Sequence, residues 1–206
     1  VALVSVPAAR WPRWRENFER SHGATTYDVV GGALAGRAAD GSHVTVHLPF
    51  GAVVDASTDP HGLADGLADL AGPPADWGVL LVRKGGFAMA RLAGATLGES
   101  KTGQRHVQGR TKAGGQSQQR FARRRDNQAR QAYEAAAEHA VRILGGCRGP
   151  VVVGGDRPAV DEVLADPRLR ALAVTGPWLA VPDPRRGVLE QAIADAGALQ
   201  VQVVNA

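Results

Sequence analysis

The reading turns on Lys112–Arg125, KAGGQSQQRFARRR, which continues without a break through DNQARQAYEAAAEHAVRIL to Gly145-Gly146. From Ser117 to Leu144, Phe121, Ala129, Ala132, Tyr133, Ala136, Ala137, Ala140, Val141 and Leu144 recur at the helical period. That predicts one helix of about 28 residues, ~42 Å long, stopped by the glycine pair. Its first half is basic; its second half is rich in Ala and carries Glu134 and Glu138. A helix built this way packs its C-terminal half into a core and projects positive charge from its N-terminal end.

The surroundings strengthen this charge pattern. Residues 101–130 hold nine of the 24 Lys and Arg (Lys101, Arg105, Arg110, Lys112, Arg120, Arg123, Arg124, Arg125, Arg130) and one of the 20 acidic residues, Asp126. The net charge is +4, so the remainder of the chain is acidic by 4. Charge concentrated in one segment points to a polyanionic partner more strongly than a high pI spread over a surface.

The 206 residues, 44% apolar and 21% charged, suit a globular protein of one large or two small domains. The single cysteine, Cys147, excludes an internal disulfide and fits a reducing compartment, so a cytoplasmic location is expected. No apolar run reaches the length of a membrane span.

Before the basic stretch, Leu3–Val6 reads as a strand, and Trp11, Trp14 and Phe18 at helical spacing read as the core face of a helix ending at His22-Gly23. Residues 27–39 and 43–49 read as strands joined at Asp40-Gly41, with His43 and His47 as a solvent-facing pair. A short helix is expected around Leu63–Leu70 and a boundary at Pro73-Pro74. The organisation expected is a small α+β unit over residues 1–76 and a main domain over 77–206. In the latter, Trp77–Arg83 and Phe87–Leu92 form a hairpin and a third strand lies within 93–108. After the long helix come a strand at Pro150–Asp156, a helix at Pro158–Leu164, and strand pieces at Ala171–Val174 and Trp178–Val181. A helix at Gly187–Ala196 and a closing strand at Leu199–Val204 follow. Gly154-Gly155-Asp156 lacks the Lys-Ser/Thr of a P-loop and reads as a plain strand-turn-helix. Alternating strands and helices indicate an α/β fold.

Gly114-Gly115-Gln116-Ser117, followed in register by Arg120-Phe121-Ala122-Arg123 and Arg125 and by a long helix, resembles the Gly-Gly-Gln loop and helix of the middle domain of eukaryotic and archaeal peptide-chain release factors. The resemblance covers about residues 77–196 and implies a mixed sheet with flanking helices in an RNase H-like arrangement. The segment before residue 77 is shorter than a codon-reading domain and lacks its decoding motifs. The chain is therefore most similar to the Vms-like release factor group, which implies codon-independent action on peptidyl-tRNA in stalled large ribosomal subunits. The implied partners are ribosomal RNA and peptidyl-tRNA, with neither membrane nor DNA, and no cofactor or metal is implied.

The residues support the same chemistry. Gly114 and Gly115 allow positive φ and close approach to a crowded RNA centre, leaving the Gln116 N–H free to donate to charge that develops during ester hydrolysis. The Gln116 side chain is placed to position water, and Arg110, Lys112, Arg120, Arg123, Arg124, Arg125 and Arg130 to hold phosphates. Two alternatives stand beside this reading: a nuclease cutting the tRNA acceptor end, and a non-catalytic ribosome- or RNA-binding module. A two-metal nuclease needs carboxylates on the central strands, and residues 78–91 contain none.

Overall fold

The computed structural model describes residues 1–104 and 116–206, with side chains for 1–104 and 130–206. The chain divides into two compact units, Val1–Pro73 with Ile193–Ala206, and Pro74–Ala192.

The first unit is an antiparallel sheet in the order β1-β10-β4-β3-β2. Its strands are β1 (Ala2–Val6), β2 (Thr25–Val30), β3 (Ala33–Ala38), β4 (His43–His47) and β10 (Leu199–Val204). Helices α1 (Trp11–His22) and α2 (Pro60–Leu70) contribute to its core. Trp11 is fully buried and donates its indole N–H to the Ala64 carbonyl at 2.7 Å. Trp14 stacks between Trp11 and Phe18, at 5.5 and 5.6 Å, so the aromatic row is core. Along β4, Val44 and Val46 are buried while His43 and His47 are exposed on the other face. Four residues of strand set the two histidines ~13 Å apart, too far to share an ion.

Residues 27–39 are not one strand. Gly31 and Gly32 take φ of 59° and 78°, forming the tight turn between β2 and β3 that paired positive-φ residues favour.

The second unit carries a sheet in the order β7-β6-β5-β8-β9. Its strands are β5 (Trp77–Arg83), β6 (Gly86–Ala93), β7 (Thr96–Gln104), β8 (Pro150–Gly155) and β9 (Ala173–Leu179). β5, β6 and β7 pair antiparallel; β5–β8 and β8–β9 pair parallel. Helices α3 (Gln116–Leu144) and α4 (Arg157–Leu164) share one core with Leu80, Val82, Phe87, Met89, Val151 and Val153. This is the expected α/β class, a mixed sheet with flanking helices. β9 is continuous where the sequence suggests two pieces.

The last strand differs from expectation. β10 leaves through α5 (Arg186–Ala196) and pairs with β1 and β4 in the first sheet, so residues 193–206 belong to the first unit. Leu199 and Val201 alternate inward as in any one-faced strand, and alternation carries no information about which strands lie alongside.

Asp76, just before β5, joins three parts of the second unit. Its carboxylate accepts from Arg91 Nε and Nη2 at 2.8 and 3.1 Å and from the Arg148 N–H at 2.7 Å, while Arg91 also donates to the Gly146 carbonyl at 2.9 Å. The Arg91 guanidinium, then the Arg148 N–H, holds the Asp76 carboxyl below the usual carboxylate range. Its contribution to stability is therefore present above the ordinary carboxylate pKa of ~4 and is lost as pH falls further. Asp76→Asn is expected to lower stability by about 1–2 kcal/mol near neutral pH, the value for a partly exposed charged hydrogen bond. Denaturant titration checks it: the difference from the unmutated chain should shrink below pH ~4.

Candidate functional site

The site is built on α3. Its C-terminal half is locked down: Ala136, Ala140, Ile143 and Leu144 are buried, and Leu144 lies against Gly78 near the start of β5. His139 tilts onto the Phe87 ring at 5.5 Å. Tyr133 lies near Asp156, which follows the end of β8; burial first, then the Asp156 and Glu162 carboxylates, raises its hydroxyl pKa. From Leu144 back to Tyr133, α3 thus follows β5 from its start to its end.

Polar ties flank this packing. Arg142 pairs with Glu99 on β7. Arg168 bridges Glu138 on α3, at 2.6 Å, and Asp166, at 2.7 Å, drawing the Asp166 carboxyl down to about 2. Small alanines let the helix sit close to the sheet, and the ion pairs set its rotation.

The N-terminal half is different. Roughly 16 residues, about 24 Å of helix, precede Ala132, the first buried side chain described on α3. Arg130 and Gln131 are exposed.

Gln116 is the first residue of α3. The first four N–H groups of a helix lack partners within it and carry the positive end of its dipole. Gly114, Gly115, Arg110 and Lys112 lie outside the described residues, as do the side chains of Gln116, Arg120, Arg123, Arg124 and Arg125. Arg130 borders a cleft of about 730 Å³ lined also by Tyr133, Glu134, Glu138, Glu162 and Asp166.

β7 ends at Gln104, paired with Gly86 beside the Lys84-Gly85 turn. β5 and β8 finish at this same end of the sheet. Here Arg83 Nε faces Asp156 Oδ1 at 3.3 Å and Asp183 Oδ1 at 3.8 Å, and Arg83 donates to the Val181 carbonyl at 3.0 Å. Asp156 precedes α4 and accepts from the Lys84 N–H at 3.3 Å. Its carboxylate is turned to the Lys84 N–H and Arg83 and makes no capping hydrogen bond to α4. The sequence offered little sign of this node: Asp156 and Asp183 sit in turns and meet Arg83 only through the fold. Among the described residues, no three His, Cys, Asp or Glu side chains gather as a metal site, and no helix is long and apolar enough to cross a membrane.

With this geometry in place, residues 75–202 match the family described as the Actinobacteria/Chloroflexi VLRF1 release factor. The chain belongs to that release factor family. No curated protein matches it. Among solved structures it is similar to the archaeal translation termination factor aRF1, at 18% identity and TM-score 0.42, over 70% of this chain and 39% of that one. It is also similar to the Vms1 mitochondrial localization core, at 10% identity and TM-score 0.42, over 96% of this chain and 84% of that one. The chain thus spans well under half the length of the archaeal factor.

Ala136→Leu tests the anchoring of α3. Three heavy atoms more than the site holds should cost about 1–3 kcal/mol. Hydrogen exchange should show faster opening across residues 132–144, with β2–β4 of the first unit unaffected.

Proposed function

We propose that the protein is a codon-independent peptidyl-tRNA hydrolase that frees nascent chains from stalled large ribosomal subunits. The observation that carries this reading is the position of Gln116, first residue of a 29-residue helix whose far half is fixed in the core. The Gln116 N–H belongs to the unpaired first turn, at the positive end of the helix dipole, and Gly114-Gly115 precede it.

Water attacks the ester carbonyl carbon, a C–O bond forms, and negative charge collects on the carbonyl oxygen. The Gln116 N–H donates to that oxygen, a contact worth ~3 kcal/mol of barrier. The bond to the ribose 3′ oxygen then breaks, and the proton lost by water ends on that oxygen. The Gln116 side chain orients the attacking water. Arg110, Lys112, Arg120, Arg123, Arg124, Arg125 and Arg130 neutralise phosphates of ribosomal RNA and peptidyl-tRNA around the stem. The ribosome, in the cytoplasm, supplies the remaining walls of the site.

Large subunits bearing labelled peptidyl-tRNA provide the test. Hydrolysis yields free peptide and tRNA with an intact 3′ end; peptide still carrying 3′ nucleotides means that the enzyme cuts the acceptor end instead. Gly115→Ala, which crowds the Gln116 N–H, should slow release by ~10²-fold or more, and Gln116→Ala, which keeps that N–H but loses the amide that orients water, by at least ~10-fold, neither weakening subunit binding. Full activity in both variants would remove the assignment. Arg123→Glu combined with Arg124→Glu should weaken subunit association and flatten its salt dependence, and an unchanged salt series contradicts the phosphate contacts.

A further inference from the structure

The cations of the second unit sort into two sets. Arg83, Arg91, Arg142, Arg168 and Arg186 are each held by a carboxylate. Of the exposed cations with no acidic partner among the described residues, Lys101, Arg130, Arg148 and Arg170 stand apart from one another, and Lys84, Arg157 and Arg185 stand together.

These three share one end of the sheet. Lys84 is the turn residue after β5, and its N–H reaches Asp156. Arg157 is the next residue, and its guanidinium lies over the half-buried Trp178 ring at 4.3 Å. Arg185 follows Asp183, whose carboxylate lies on Arg83 and beside Gly85. Asp156 and Asp183 are the acidic groups interleaved here, and both face Arg83, so the charge left over is positive. The flank between α3 and α4 is the reverse: Glu134, Glu138, Glu162 and Asp166 line the cleft there with Arg130, and although Glu138 and Asp166 are paired with Arg168, acidic groups predominate. The positive end is also where β7 finishes and where α3 passes the sheet toward Gln116.

We propose that Lys84, Arg157 and Arg185, with Trp178 bracing Arg157 through its ring face, form a second phosphate-contact surface at the foot of the stem, for ribosomal RNA of the large subunit. This rests on the reading that the stem enters ribosomal RNA. A probe that carries its reacting tip ~24 Å ahead of its packed base must pass surrounding RNA before the base meets it. A guanidinium held flat on an indole keeps its N–H edge directed outward, so less side-chain freedom is lost on contact.

The test uses the full chain and purified large subunits, vacant or loaded with peptidyl-tRNA. Lys84→Gln, Arg157→Gln and Arg185→Gln together break none of the ion pairs described, so thermal unfolding should match the parent chain and serves as the check on folding. The triple variant should bind vacant and loaded subunits alike at least 10-fold more weakly near 0.15 M salt. Its log-affinity against log-salt slope should be shallower by about 2, at roughly 0.7–0.9 per contact. Trp178→Ala alone should reproduce part of the loss. Equal affinity and slope in a normally folded triple variant overturns the surface, and a loss confined to loaded subunits overturns its assignment to ribosomal RNA. Binding is read without peptide release, so the two readings separate. Release with unchanged triple-variant binding removes this surface alone; weakened binding without any release removes the hydrolase alone.

Discussion

The close packing of the α3 alanine stripe on β5 and β6 is the constraint that the rest of the second unit obeys. Ala136 and Ala140 are fully buried, and at this distance nothing larger fits between helix and sheet. A helix of 29 residues that used its whole length for packing would need a sheet twice as wide. The packing described on α3 runs from Ala132 to Leu144. That stretch must resist leverage from the rest of the helix, and packing alone does not set rotation about the helix axis. The Arg142–Glu99 pair on one flank, the Glu138–Arg168–Asp166 bridge on the other and the Arg91 contact at Gly146 supply that restraint. Each is partly exposed and individually weak. Their value lies in acting at separate points around one rigid element.

This division of labour explains the charge distribution. Glu99, Glu138 and Asp166 lie where α3 is held and are engaged by arginines, while Asp156 and Asp183 face Arg83 at the end of β5. Lys84, Arg157 and Arg185, which have no acidic partner among the described residues, stand at that end as well. A polyanion approaching from that side meets positive charge from the helix, from its unpaired first turn and from the foot of the stem. Approaching from the cleft side it meets four carboxylates. Orientation follows from electrostatics before any close contact is made.

The parts legible in the sequence are those set by local pattern. The α3 limits followed from Ala spacing and Gly145-Gly146, and Trp11, Trp14 and Phe18 were readable as core because helical periodicity usually means burial. Membership of the release factor family was legible in the Gly114–Arg125 stretch leading into the long helix. Gly31-Gly32 was visible but read through, since valines on its N-terminal side looked like uninterrupted strand. The destination of β10 was not legible at all. Ser5 and Gln200 hydrogen-bond across 195 positions of sequence, and alternation marks a strand without naming its neighbour. The Asp76–Arg91 and Arg83–Asp156–Asp183 nodes were hidden for the same reason: charge pairs formed by fold leave no local trace.

The same distinction separates tip from stem. In the proposed hydrolase, chemistry at Gly114–Gln116 depends on residue type, because two glycines before a helix start put no side chain against the N–H that follows them. Its effectiveness depends on placement within a fraction of an ångström, and that is a property of the stem. A flexible peptide with the same three residues would donate to an oxyanion as readily but would spend the gain on ordering itself. Fixing Gln116 to a helix, and that helix to a sheet, moves the ordering cost into folding, where Ile143, Leu144 and their neighbours have already met it.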